Sequence, residues 1–165
     1  MNYIYIFNIV LKQRYYIDTS VFGGIFDPEF EIPTRMLFDK MIKENITILY
    51  SELTETELEN APEKIKQFVV NLEQKYMEYI DLSKEASELG DKYILEDVVG
   101  KSSREDCIHI ALATTNRADV LISWNFKHIV NLKRIRGYNS VNLKYGYPAI
   151  EIRSPKEMID YENID

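Results

Sequence analysis

The sequence predicts an α/β protein built on a parallel sheet, and two observations carry that prediction. Short apolar runs alternate with segments of helical spacing along the 165 residues, with no internal repeat or low-complexity linker. The first run, Tyr15-Tyr16-Ile17, passes into Asp18, then Thr19 and Ser20, then Gly23-Gly24. Carboxylate, hydroxyls and glycines directly after an apolar run suit the C-terminal lip of a strand, where open α/β sheets bind their ligands. In mid-strand an ionised Asp18 would be buried at a large desolvation cost. An aspartate at the lip also serves as the cap of the next turn or helix, with Thr19 and Ser20 as helpers. Further acidic residues in comparable places favour a site.

The elements follow in order. After Asp27-Pro28, a helix breaker, residues 31–44 carry Ile32, Met36, Leu37, Met41 and Ile42 at helical spacing. Ile46 to Tyr50 is a short strand, and Ser51 is placed to cap a helix running through Glu52 and Glu57-Leu58. On that helix Leu53, Glu57 and Leu58 share one broad side, so Glu57 faces the structured interior more than its acidic neighbours do. Pro62 opens a helix expected to reach about Met77, with Ile65, Phe68, Val69 and Leu72 inward; Tyr79 to Leu82 is then a brief strand or extended crossing. Ser83 starts a helix with Leu89, Tyr93 and Ile94 on its apolar side, ended by Val98-Val99-Gly100. A further helix is capped by Ser102 or Ser103 and runs through Cys107-Ile108-His109-Ile110-Ala111-Leu112-Ala113, its small residues suited to close packing. Asp106 falls in its first or second turn, where a carboxylate gains from the helix dipole and can face the lip that holds Asp18.

Asp119 to Ser123 is the next parallel strand, left through a short helix or loop at Trp124-Asn125-Phe126-Lys127-His128-Ile129, so Ser123 and Asn125 sit at the lip. Leu132, Ile135 and Leu143 recur in a helix that Gly137 weakens. Gly146-Tyr147-Pro148 turns the chain into a last strand, Ala149 to Ile152, and Ser154-Pro155 starts a terminal helix.

Composition narrows the function. The single cysteine, Cys107, rules out an internal disulfide framework and a multi-cysteine zinc site, and points to a reducing, cytoplasmic compartment. Two histidines, His109 and His128, are too few for a histidine-rich metal site. His109, three residues on from Asp106, is open as a partner, a ligand or a core residue, with packing or support of a ligand the favoured expectation. Residues 2–11 are largely apolar but broken by Asn8, too short to span a bilayer and without a cleavage site. No membrane segment is expected. Those residues suit an added strand, an arm over a partner's surface or an extension upstream of the domain. Net charge is −7, yet Val98 to Ser154 holds nine Lys or Arg against four Asp or Glu, a basic flank on an acidic protein.

Strand–helix alternation thus brings Asp18, Glu57 and Asp106 to one end of the sheet, with Ser123 and Asn125 beside them. Three carboxylates held close repel one another unless a cation offsets them, and all-oxygen ligation suits Mg2+ or Mn2+. Such a site can activate water against a phosphodiester. Lys127, Lys133, Arg134 and Arg136 are candidates for holding a phosphate backbone, or else a solvated helix face. Trp124 and Phe126 are available to stack on bases, although core packing is the simpler expectation.

The chain resembles the PIN-domain proteins, the nuclease fold of many VapC-type toxins of toxin–antitoxin pairs. The matching pieces are Tyr16-Ile17-Asp18-Thr19-Ser20-Val21, Ser51 through Glu57-Leu58, Asp106 with His109-Ile110-Ala111-Leu112-Ala113, and Ala118 through Phe126. The resemblance implies a three-layer α/β/α domain over residues 14–160, with sheet order 3-2-1-4-5, after an extension at 1–13. It also implies metal-dependent endoribonuclease activity on RNA, homodimers and, in toxin members, an antitoxin partner. By position it gives the acidic roles to Asp18, Glu57 and Asp106 and the strand-end hydroxyl to Ser123. At Asn125 the chain departs from the many active members that carry a fourth aspartate. That departure weakens the expected metal binding and keeps open a PIN-like binding or interaction module with reduced catalysis. Asp119 does not replace the missing acid, because it precedes its strand and belongs at the opposite end of the sheet.

Overall fold

A computed structural model describes residues 12–159, so the expected arm at residues 2–11 lies outside the described residues. The chain runs β1 (Arg14–Ile17), α1 (Thr19–Gly24), α2 (Glu31–Lys43), β2 (Thr47–Ser51), α3 (Glu52–Leu58), α4 (Glu63–Asn71), β3 (Met77–Ile80), α5 (Lys84–Leu95), α6 (Arg104–Thr115), β4 (Val120–Ile122), α7 (Leu132–Lys144), β5 (Glu151–Arg153) and α8 (Pro155–Met158). All the strands pair in parallel, in the order β3-β2-β1-β4-β5. Parallel neighbours need crossover connections, and every connection between successive strands here contains a helix.

Helices cover both faces of the sheet, giving three layers. Because side chains alternate along a strand, Tyr15 and Ile17 of β1 pack with α1 and α2, whereas Tyr16 packs with α5, α6 and α7. Register extends this alternation across the sheet: Tyr16 is level with Leu49 of β2 and Leu121 of β4, and all three belong to the same core. Two residues further along each strand, on the same face, stand Asp18, Ser51 and Ser123. An apolar row is therefore followed at the lip by a polar row.

Several helices bury a face other than the one their apolar spacing suggests. In α2 the buried set is Pro33 with Thr34, Leu37, Phe38 and Met41, the last four an i, i+3, i+4, i+7 stripe, while Ile32 is 72% exposed. In α7 Tyr138, Val141 and Asn142 face inward, and Leu132 and Leu143 lie outside. Gly137 sits within α7 where a Cβ would come within 2.7 Å of Val98 Cγ1, so close packing accounts for it. The helix expected from Pro62 to Met77 stops at Asn71; a short 3-10 turn intervenes, and Met77 already pairs with Ile48. Asp119 binds the start of β1, accepting from Arg14 N at 2.7 Å, at the end of the sheet away from Asp18. Among the described residues no helix is long and apolar enough to cross a membrane.

Candidate active site

The polar row at the lip faces α6, and α6 sets His109 against it. His109 is 2% exposed in a helix whose residues Cys107 to Thr114 are all buried. Its Nδ1 lies 2.7 Å from the Tyr16 hydroxyl, which lies 2.8 Å from Ser51 Oγ. Ser51 Oγ also accepts from Thr54 N at 3.1 Å, so the residue that caps α3 is part of the same buried chain. On the other side of the ring, Nε2 is 3.0 Å from Glu57 Oε2 and 3.4 Å from Asp18 Oδ1. Two carboxylates from distant parts of the sequence therefore meet on one nitrogen, and their nearest oxygens are no further apart than the sum of those distances.

Asp18 is buried at the end of β1, and its backbone N–H continues the ladder to Ile122 O at 3.0 Å. Its side chain makes no cap bond to α1. Instead Oδ2 accepts from Ser20 Oγ at 2.5 Å and from Ser123 Oγ at 2.7 Å. Glu57 is half-buried, unlike the exposed Glu52, Glu55 and Glu59 of the same helix region, and its Oε2 also accepts from the Thr19 hydroxyl. Burial would raise the Glu57 carboxyl, but the hydrogen bond and charge of His109, helped by Thr19, outweigh it and hold the group below its usual range.

Asp106 occupies the first turn of α6. Its Oδ1 accepts from Asn125 Nδ2 at 2.8 Å; Asn125 N donates to Ser123 Oγ at 2.9 Å, and Ser123 leads back to Asp18. Burial raises the Asp106 pKa, with Asp18 and Glu57 adding to the rise and His128 and His109 opposing it. The Asn125 amide is used at both ends, since Oδ1 accepts from His128 N at 3.0 Å. The reverse orientation would set an amide oxygen against a carboxylate. Asn125 thus braces Asp106 and the following loop.

The structure brings Asp18, Glu57, Asp106, Ser123 and Asn125 into one neighbourhood: hydrogen bonds run from Asp106 through Asn125 and Ser123 to Asp18, and His109 Nε2 is hydrogen-bonded to Glu57 and lies 3.4 Å from Asp18. Glu57 Oε1 and Asp106 Oδ2 make no hydrogen bond with the described residues, whereas the other oxygen of each is tied. Among the described residues, however, no group of three or more His, Cys, Asp or Glu stands in an arrangement that would hold a metal ion. Glu57 gives Oε2 to His109 and Thr19, Asp18 gives Oδ2 to Ser20 and Ser123, and Asp106 gives Oδ1 to Asn125.

The basic candidates differ. Lys127, Lys133 and Arg136 are exposed, while Arg134 is half-buried and donates to the Val98 carbonyl. Trp124 is 6% exposed, stacks on Phe30 with centroids 4.4 Å apart and donates through Nε1 to Thr34 at 3.0 Å. It is a core residue. Phe126 is 49% exposed.

Sequence reasoning missed the parts played by Tyr16, Thr19, Ser20, Ser51 and His128. The signal for two of them was present: Tyr16 with Asp18, Leu49 with Ser51 and Leu121 with Ser123 repeat one apolar-to-polar step of two residues on three adjacent strands. Only the strand register turns that repeat into a row.

The PIN domain model matches residues 15–127, a span that contains every acidic and hydroxyl residue of this neighbourhood. Solved structures share the fold. VapBC2 from Rickettsia felis, bound to a DNA fragment from its promoter, is 16% identical over 86% of this chain and 98% of that one, with a TM-score of 0.55. DNA-bound VapBC from Salmonella typhimurium is 17% identical over 87% and 98%, with a TM-score of 0.54. FitAcB from Neisseria gonorrhoeae is 12% identical over 86% and 97%, with a TM-score of 0.55. No curated protein matches the chain significantly. With the sheet order, the lip and the matched span in agreement, the chain belongs to the PIN domain family.

Proposed function

We propose that this protein is a metal-dependent endoribonuclease that hydrolyses RNA phosphodiester bonds. The observation that carries the reading is the meeting of Asp18 and Glu57 on one imidazole nitrogen, with Asp106 joined to Asp18 through Asn125 and Ser123. The donor set is all hard oxygen, which suits Mg2+ or Mn2+. Asp18, Glu57 and Asp106 would hold the ion; Glu57 and Asp106 each have one oxygen without a hydrogen bond to the described residues. A bound divalent cation supplies an activated water at neutral pH and offsets charge on the phosphate.

The chain's own residues do the rest. Ser20 and Ser123 fix Asp18 from one side, so its other oxygen keeps its aim. Asn125 fixes Asp106 through Oδ1. Lys127, Lys133 and Arg136, with whatever capacity Arg134 retains, would hold the phosphate backbone without reading sequence. An antitoxin protein partner and a homodimer are part of the proposal; the solved relatives with VapBC and FitAcB names support looking for them.

The experiment is RNA cleavage by the full chain with Mg2+ or Mn2+, comparing wild type with Asp18→Asn. Cleavage that needs the metal and disappears in the variant is the expected result; wild type without cleavage under either metal would sink the reading. A second reading, a PIN-like RNA- or protein-binding module with reduced catalysis, is favoured by one feature. Asn125 brings no charge, and its amide is used up within the protein. That module would bind RNA or its protein partner equally well with and without the Asp18→Asn change, and would not cut.

A further inference from the structure

We infer that His109, held from behind by the Tyr16 hydroxyl, is a positioning residue that aims Glu57 and Asp18 at the metal ion; this rests on the metal-dependent reading above. The chain has two histidines, and this one is buried in the centre of the acidic neighbourhood. An ionised carboxylate only accepts hydrogen bonds, so Nε2, hydrogen-bonded to Glu57 Oε2 at 3.0 Å, carries a proton.

The partners of the other nitrogen suit that arrangement in either charge state of the ring. When the ring is neutral, Nδ1 accepts from the Tyr16 hydroxyl at 2.7 Å. When the ring is charged, Nδ1 donates to the same oxygen, and Tyr16 donates onward to Ser51 at 2.8 Å. Ser51 has Thr54 Oγ1 at 3.0 Å to receive its own proton. Nε2–H stays on Glu57 throughout, with Asp18 Oδ1 3.4 Å away. The positioning therefore does not depend on whether His109 is charged.

Glu57 needs such a tie. It is a flexible side chain on the seven-residue helix α3, partly open to solvent, and its fixed oxygen is held by His109 and Thr19. Tyr16 lies in β1 and Ser51 ends β2, so the tie runs from the carboxylate through α6 into two central strands of the sheet. Partners behind metal-ligating side chains act in this way, by fixing orientation before the ion arrives.

The test uses the full chain with His109→Leu, His109→Gln and Tyr16→Phe. Three quantities are read: the Mn2+ dissociation constant from the free-Mn2+ signal, kcat and KM for RNA at low and saturating Mn2+, and the thermal midpoint. His109→Leu is expected to raise the Mn2+ dissociation constant by about 10- to 100-fold. Tyr16→Phe shifts it in the same direction by less. His109→Gln, which keeps an N–H at a similar reach, restores most of the affinity. KM for RNA stays unchanged in all three, and the kcat lost at low Mn2+ returns at saturation.

A residue that only packs would lower the thermal midpoint and leave Mn2+ affinity alone. Unchanged Mn2+ affinity in His109→Leu and Tyr16→Phe, with wild type still binding Mn2+ and cutting RNA, overturns this inference and spares the nuclease reading. Failure of wild type to bind Mn2+ overturns both. Where His109→Leu does not fold, Tyr16→Phe decides alone, because it removes a single hydroxyl.

Discussion

Asp106 is the carboxylate that the fold holds at a cost. Burial, with Asp18 and Glu57 nearby, raises its pKa against the pull of His128 and His109. For a carboxyl raised in the folded state, the folded form binds the proton more tightly than the unfolded one. Its contribution to stability is then complete below the ordinary value of 3.8 and is lost as pH rises through the raised value. Asp106→Asn keeps an oxygen for Asn125 and removes the charge. Without metal that variant is expected to melt at a higher temperature than wild type at neutral pH, and to lose RNA cleavage. Thermal melting across pH, with an activity assay alongside, checks both halves. Stability given up for a charged site is a common trade. Glu57 differs because His109 and Thr19 hold its charge in place, so Glu57→Gln carries no expectation of a gain.

Helix α1 shows how two adjacent glycines can play different parts. A Cβ on Gly24 would lie 2.6 Å from Trp124 Nε1 and 2.8 Å from Thr34 Oγ1, inside the hydrogen bond that joins those residues. A Cβ on Gly23 would meet nothing nearer than Ile65 Cδ1 at 4.0 Å. Gly24→Ala should cost about 1–3 kcal/mol through overpacking. Gly23→Ala should be neutral or stabilising by up to about 1 kcal/mol, as alanine is the better helix former. Chemical denaturation of the two variants gives the comparison. The doublet in the sequence marks a close approach but does not say which glycine makes it. The same limit applies elsewhere. Strand–helix alternation and the polar ends of β1 and β4 were legible, because they depend on local pattern. The early end of α4 was not, since short apolar runs fit a strand or a helix equally until Met77 finds Ile48. His109 was legible only as a packed or ligand-supporting histidine; which groups it meets, Tyr16, Glu57 and Asp18, is fixed by contacts far away in sequence.

Across the whole molecule, the parallel sheet gathers the chemistry at one end. Arg14 closes the opposite end, pairing with Glu78 at 2.6 Å and donating to Asn116 O at 2.7 Å, while Asp119 takes the β1 N–H there. The two ends therefore hold acids differently: at one, Arg14 pairs with Glu78 and gives its backbone N–H to Asp119, and at the other hydroxyls, an amide and an imidazole hold the carboxylates. Trp124 lies at the border of the second set. Its indole is in the core, yet its backbone N–H donates to Ser20 Oγ at 3.0 Å, and Ser20 donates to Asp18. It is the only tryptophan in the chain. Its emission is thus a built-in optical reporter, one hydroxyl removed from the carboxylate most central to the chemistry. Titrating Mn2+ should change the intensity of that short-wavelength emission in wild type and leave Asp18→Asn dark to the ion, which would let occupancy be followed without a label and without RNA.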